Sequence, residues 1–196
     1  MSKIEPNLAA YYTIDGKLNS MPFNSSTPLL YYNVEIFEEA GIEEPPKSLE
    51  EIYEISEDLM EKGGAEMALA AEIYSWYIEQ MLYKAASPMY NNDNGREASP
   101  TECIINEDGA LEEIFAQFLR LEETGYAPNI GTSQSGEFAS GIAAMKFAST
   151  AGLYQTINDV GDKFTVGTAY FPGALKEYND GGVSIGGASL WMMETN

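Results

Sequence analysis

The sequence contains no histidine, and that one absence closes much of ordinary enzyme chemistry. Imidazole is the side chain that titrates near neutral pH without help, so the chain lacks a ready general base and an imidazole metal ligand. Catalysis built on Ser–His–Asp or Cys–His pairs is excluded within it. Cysteine is nearly absent too. Cys103 alone can form no internal disulfide and no thiolate zinc site, and it reads as a structural residue. Cations are scarce: 10 Lys and Arg stand against 31 Asp and Glu, a formal net charge of −21. Such a surface repels polyphosphate, which makes nucleic acid and anionic membranes poor partners, and solubility accounts for most of the acidity. No run approaches the roughly 20 apolar residues of a membrane span. Met1-Ser2-Lys3 opens without the apolar core or cleavage site of a signal peptide. The expectation is either a cytosolic protein or an excised piece of a longer one.

What is present reads as one α/β domain over residues 1–196, ordinary in its 44% apolar and 21% charged content. The first thirty residues read as extended structure, turning at Asp15-Gly16. Pro28-Leu29-Leu30-Tyr31-Tyr32 reads as a buried strand, and Asn33 caps a short helix, Val34 to Ala40, that Gly41 ends. Ser48-Leu49-Glu50-Glu51 has capping-box spacing, with Glu51 reaching back to the Ser48 amide. The helix behind it places Leu49, Ile52, Ile55, Leu59 and Met60 on one face and carboxylates on the other, a solvated surface rather than a catalytic pair. A short strand follows over Met67–Ala71, then a helix over Tyr74–Ala86 with Ile78, Leu82, Ala85 and Ala86 inward. Asn91 to Gly95 is a polar turn. It departs from a calcium loop because Tyr90 holds the first ligand position and no bidentate Glu closes it. A third helix, about Gly109–Glu123, turns Leu111, Ile114, Phe115, Phe118 and Leu119 inward. Pro128–Gly136 is loop, Glu137–Gly141 a short helix, Ala143–Ala148 a strand, and a further helix starts beside Thr150. Phe164–Tyr170 and Val183–Trp191 read as closing strands, and the alternation of helix and strand is an α/β pattern.

Three segments display small hydrogen-bonding residues at the edge of a buried strand. In Pro22-Phe23-Asn24-Ser25-Ser26-Thr27-Pro28, two prolines stiffen a loop whose four central residues all carry polar side chains, suited to hydroxyl or phosphate oxygens or to an ordinary turn. Met145 to Gly152 ends a strand at Ser149 and opens a helix beside Thr150, where free amides favour an anionic or polyhydroxyl group, although capping alone would explain Thr150. In Ser184-Ile185-Gly186-Gly187-Ala188-Ser189-Leu190-Trp191, paired glycines let a ligand or another backbone approach closely, or mark a bulge. No Gly-Lys-Ser/Thr follows, so this is not a phosphate loop. Among the aromatics, Trp76 stands out because Ser75, Glu79 and Gln80 surround it with polar groups, and its ring can stack on a polyol.

At these segments the sequence resembles the sugar-type extracellular solute-binding proteins of ABC importers, and within them the binders of glycerol-3-phosphate. The resemblance is carried by Pro22 to Asn33, by Pro45-Pro46-Lys47-Ser48, by Phe138…Gly141…Ala143-Ala144-Met145, by Ala148-Ser149…Gly152-Leu153 and by Ile185 to Trp191. It implies a type II periplasmic-binding-protein-like fold of two lobes, with a mixed sheet flanked by helices. This chain would be the excised second lobe, the first lobe and C-terminal region falling outside it. By position, Ser26, Ser149 and Gly187 match ligand-contacting residues, and Trp76 matches an aromatic of the cleft. A second cleft tryptophan, three residues earlier, is replaced here by Ile73. Arg96 and Arg120 match no ligand position. The resemblance further implies an extracytoplasmic site of action with the targeting segment outside the chain, no cofactor and no bound metal. The partners it implies are a small polyol phosphate or sugar and the permease subunits of the importer.

Two other functions stay open on the residues alone. A carboxylate-dependent enzyme such as a glycosidase uses the only acid–base chemistry left, yet no isolated Asp/Glu pair stands out. An acidic protein-interaction module would use the surface charge instead.

Overall fold

The structure, a computed structural model, describes residues 4–128, 134–178 and 181–191. Met1–Lys3 and the middle of the expected loop at Pro128–Gly136 lie outside these residues. A four-stranded sheet in the order β5-β6-β4-β7 forms the centre. Its strands are β4 (Pro28–Asn33), β5 (Met67–Ala70), β6 (Ala143–Ser149) and β7 (Val166–Tyr170). β4 runs antiparallel to both β6 and β7, while β5 is parallel to β6, so the sheet is mixed. β4 and β6 read as continuous apolar runs because both of their faces are covered. Pro28 sits at the first position of β4, where a missing N–H costs no ladder bond inside the strand.

One face of the sheet, with Leu30, Met145 and Phe147, packs under helices α2 (Val34–Glu39), α3 (Leu49–Glu61), α4 (Ser75–Lys84) and α6 (Ala110–Glu123). The opposite face carries Tyr31 against Phe138 and Ala139 of α7 (Gln134–Ala139) and Val160 of α8 (Leu153–Val160). The expected α/β layering is what folds. Asn33 caps α2 by accepting the Ile36 amide, and Ser48 caps α3 by accepting that of Glu51 at 3.0 Å. The Glu51 carboxylate reaches back one residue beyond expectation, to the Lys47 amide at 2.6 Å, where the chain is also bridged to Gly173.

Several elements differ from the sequence reading. Pro6–Tyr11 is a helix, α1, with proline in its first turn, and it precedes the hairpin β1 (Thr13–Ile14) and β2 (Lys17–Leu18) turning at Asp15-Gly16. In α6 the buried stripe is Ala110, Ile114, Gln117, Phe118 and Leu121, while Phe115 and Leu119 are 42% and 55% exposed. Those two sit one residue on from the buried row, about 100° further round the helix. In α3 the buried row includes Ser56, whose hydroxyl donates to the Ile52 carbonyl, in place of the half-buried Ile55 and Met60. Ala86 points outward at φ +55, just past the end of α4. Asn91–Gly95, labelled α5, is a turn whose Asn92, Asp93 and Asn94 are left-handed. Cys103 is exposed and bridges to Tyr90, so it does not fill a core position. The expected strand over Val183–Trp191 reduces to β8 (Ser189–Leu190), paired with β3 (Met21–Pro22), and one bridge at Gly186.

Lys146 in β6 is only 3% exposed. Its ammonium lies 5.6 Å from the Tyr31 ring centre and 5.4 Å from that of Phe138, and donates to Ser135 Oγ at 3.4 Å. Burial pushes it below the ordinary lysine value of 10.5, against the opposing pull of Asp159. The unfolded chain therefore holds this proton to higher pH than the folded one. Its contribution to stability should rise with pH between the depressed value and 10.5. In urea titrations from neutral pH upward, Lys146→Met should lack that rise and be more stable at pH 7 by about 1 kcal/mol. Parallel pH profiles for the two proteins would refute the assignment.

Candidate functional site

The topology puts four chain ends on one side of the sheet. The carboxyl ends of β5, β6 and β7 and the amino end of β4 all lie there, because β4 opposes the other three. Segments leaving strands at this end are released from ladder hydrogen bonding, which is where open α/β sheets place ligands.

The serine-rich turn enters β4 at this end, and two other segments are stitched to it. Register fixes the first contact: Pro28 stands opposite Ser149. Thr150 donates its amide to the Thr27 carbonyl at 2.8 Å, and its hydroxyl accepts the Thr27 amide at 3.1 Å. Thr150 is thus a clasp across the strands rather than a helix cap. The capping is done by Ser149, whose Oγ accepts the Ala151 amide at 3.1 Å at the start of a tight single turn, Thr150–Gly152, that leads into α8. The Tyr31 hydroxyl, kept protonated by burial, donates to the Ser149 carbonyl at 2.9 Å and holds the junction from below.

The double glycine lies along the other edge of the same turn. Ser26 donates its amide to the Gly186 carbonyl at 3.0 Å, and Phe23 to that of Ala188 at 2.9 Å. Asn24 Oδ1 accepts the Ala188 amide at 2.6 Å. Gly187 adopts φ +122, and a Cβ there would stand 2.3 Å from the Asn24 carbonyl oxygen. Of the three readings open for the glycine pair, the structure shows close approach of another backbone. The hydroxyl of Ser26 makes no hydrogen bond among the described residues and stays available.

Trp76 joins from α4. That helix is anchored by Tyr77, whose hydroxyl donates to the Phe147 carbonyl at 2.9 Å and whose ring packs on Phe147 and Phe171. The fully buried Gln80, one turn on, clamps Ser184 in both directions, donating to its hydroxyl at 2.7 Å and accepting its amide at 2.9 Å. Gly186 is thereby held beside the Trp76 indole, whose Nε1 would lie 3.8 Å from a Cβ added to the glycine.

A cavity of about 880 Å³ opens here. It is lined by Trp76, Glu79 and Tyr83 of α4, by Ser184, Gly186, Gly187 and Trp191 of the glycine segment, and by Tyr11, Asp15 and Arg96. Ser26 and Ser149 are not among its lining residues: Ser26 bridges to Gly186, which does line it, and Ser149 ends β6 opposite Pro28. The structure brings Trp76 and Gly187 to the cavity itself and the two serines to its flank. Missed from sequence were the tyrosines and Arg96: Tyr83 comes from α4, and Tyr11 and Arg96 meet where Arg96 Nη1 donates to the Tyr11 carbonyl. The pair Tyr11-Tyr12 before a Gly turn was the available signal. Burial raises the Tyr83 phenol, so it stays a donor at neutral pH. Among the described residues no group of three or more His, Cys, Asp or Glu could hold a metal ion, and no helix is long and apolar enough to cross a membrane.

Gly187→Ala should separate the glycine segment from Asn24, since both the positive φ and the space exclude a side chain. A loss of about 1–3 kcal/mol in urea unfolding, with altered tryptophan emission from the cavity, is the expected result. An unchanged midpoint and spectrum would show that this close approach does not exist in solution.

Comparison with known proteins adds the following. The profile of the family described as "Bacterial extracellular solute-binding protein" matches residues 1–196. The sn-glycerol-3-phosphate-binding periplasmic protein UgpB of Brucella abortus (strain 2308) is 31% identical over 200 residues, covering 97% of this chain and 44% of the relative. That of Salmonella typhimurium is 30% identical, covering 98% and 45%. The chain thus spans less than half the length of these relatives. Among solved structures, the GacH receptor of Streptomyces glaucescens superposes with a TM-score of 0.74 at 22% identity, covering all of this chain and 50% of that one. UgpB from Mycobacterium tuberculosis, solved with glycerophosphocholine, gives 0.65 at 23% identity, covering 90% and 44%. These likenesses show the fold, a mixed α/β arrangement of the type II solute-binding kind.

Proposed function

The chain belongs to the bacterial extracellular solute-binding proteins, and from that membership we propose that it is the second lobe of the substrate-binding component of an ABC importer. Its ligand is glycerol-3-phosphate or a related polyol phosphate or sugar, held in an interlobe cleft of which the cavity beside Trp76 is this lobe's share. The protein binds without catalysing, works outside the cytoplasm and hands its cargo to permease subunits.

The observation that carries this reading is the meeting of three separate segments at one end of the sheet. The serine-rich turn, the Ser149 junction and the double glycine share backbone hydrogen bonds there and border an aromatic cavity. Sequence distance alone would scatter them. In this reading Trp76 stacks on the carbon skeleton of the ligand, and Ser26 and Ser149 give hydroxyls to its oxygens. Gly187 keeps the wall thin enough for backbone amides to approach. The glycerol-3-phosphate binders among the relatives favour a phosphorylated polyol, and the sugar receptors among the structural neighbours share the fold.

Calorimetric or fluorescence titration with glycerol-3-phosphate, glycerophosphodiesters and oligosaccharides tests it. One lobe supplies only half of the contacts and no closure, so this chain should bind far more weakly than a protein carrying both lobes. Trp76→Ala should weaken the preferred ligand by about three- to tenfold through the lost stacking. No response to any ligand in either protein, or one indifferent to Trp76, would overturn the reading.

A further inference from the structure

Among the described residues Arg96 is the single cation lining the cavity, in a chain with 10 Lys and Arg against 31 Asp and Glu. The α5 turn delivers it there at a conformational cost. Asn92, Asp93 and Asn94 are consecutive left-handed residues at φ +55, +52 and +51, a conformation Asn and Asp accept singly but rarely as a run. Side chains of the turn hold it in that state. Asn94 Oδ1 accepts the Met89 and Tyr90 amides at 2.8 and 2.9 Å, and Asn91 Oδ1 accepts the Thr101 amide at 3.0 Å. Asn92 donates to the Ser99 carbonyl at 2.9 Å, and the Arg96 amide donates to the Asp93 carbonyl at 3.0 Å. Backbone strain held this firmly persists where surrounding structure over-determines it, and it concentrates at sites of function.

The guanidinium is oriented but not neutralised. Nη1 donates to the Tyr11 carbonyl at 3.2 Å, and the group lies 5.1 Å from the Tyr11 ring centre. Among the described residues the ion pairs are Lys47–Glu44, Lys62–Asp58 and Lys176–Glu54, so Arg96 has no carboxylate partner. Asp15 and Glu79 share its cavity without pairing to it. A guanidinium has five donors in a planar fork that matches a phosphoryl group, and one of the five is spent on Tyr11. Arg96 is exposed at the cavity, so water rather than a carboxylate completes its remaining donors, and these are open to exchange for the oxygens of a ligand.

We propose that Arg96, presented by the left-handed Asn91–Gly95 turn, is the specificity-determining residue of this lobe, receiving the phosphoryl group of a phosphorylated polyol. The proposal rests on the ligand-binding reading above and deepens it, separating phosphorylated from neutral ligands. Asp15 and Glu79 sharpen the effect: without Arg96 the charged side chains lining the cavity among the described residues are both negative, and a phosphate monoester is repelled.

The test is the ratio of affinities for glycerol-3-phosphate and glycerol, read by tryptophan fluorescence and NMR titration on this chain at millimolar ligand. The unmodified protein should prefer the phosphorylated ligand, and the preference should shrink as salt rises from low to physiological strength. Arg96→Gln should cut the ratio by about tenfold or more, the value of a charge-assisted hydrogen bond, while Arg96→Lys should retain part of it. If Arg96→Gln fails to fold, the salt dependence and the lysine variant still decide. An unchanged ratio in Arg96→Gln, or a salt-independent preference, overturns the role of Arg96 and leaves ligand binding standing. Parallel loss of both ligands with a lowered melting temperature shows a structural clamp to Tyr11 and also overturns it. No binding of either ligand, with none in a two-lobed protein, refutes the underlying reading.

Discussion

The antiparallel pairing of β4 with β6 governs the arrangement of everything else. Tyr31 opposite Lys146 and Tyr32 opposite Met145 send alternate side chains to the two helical layers, and Pro28 opposite Ser149 aligns the strand ends. A slip of one residue would exchange the faces, bringing Lys146 from its aromatic seat toward the core around Phe147. It would also carry Thr150 away from Thr27 and undo the clasp that starts the site. The register that buries the core is therefore the register that assembles the functional end. β7 extends the same constraint on the other side, where Gly167 opposes Tyr32 and leaves room for its ring.

Sequence carried most of the framework. Pro28–Asn33, the cap at Asn33, the cap at Ser48 and the strand ending at Ser149 were legible because each rests on local rules: apolar continuity, a polar residue before a helix, a turn residue after it. The same rules failed where tertiary pairing decides. Val183–Trp191 has the composition of a strand, yet only Ser189–Leu190 and an isolated bridge at Gly186 pair with another strand, while the Ser184 and Ala188 amides go to the side chains of Gln80 and Asn24. Phe115 and Leu119 are as apolar as the buried row of α6 and differ from it only in angle. Pro6–Tyr11 is too short for periodicity to show a helix.

The site divides in the same way. The three small-residue segments could be singled out by composition and by likeness to a family, and their meeting follows from strand order. Arg96 could not. Nothing in Asn-Asn-Asp-Asn-Gly announces a left-handed turn or says that the residue after it faces Tyr11, 85 positions earlier. A chain so acidic also draws the eye to its carboxylates, whereas the residue proposed to read the ligand is a cation held by Tyr11.

The short ladder between β3 and β8 has an energetic meaning of its own. Asn24 and Ala188 are 164 positions apart, but the pairing of β4 with β6 and β7 already brings their segments to the same edge. The ladder itself consists of two paired residues on each strand and a few neighbouring amides, with Met21, Phe23, Leu190 and Trp191 largely exposed. Held by so few contacts, this ladder is expected to open at a lower free energy than β4, β5, β6 and β7. The glycine edge of the cavity thus belongs to the part of the fold with the least packing behind it, and it yields before the central sheet does.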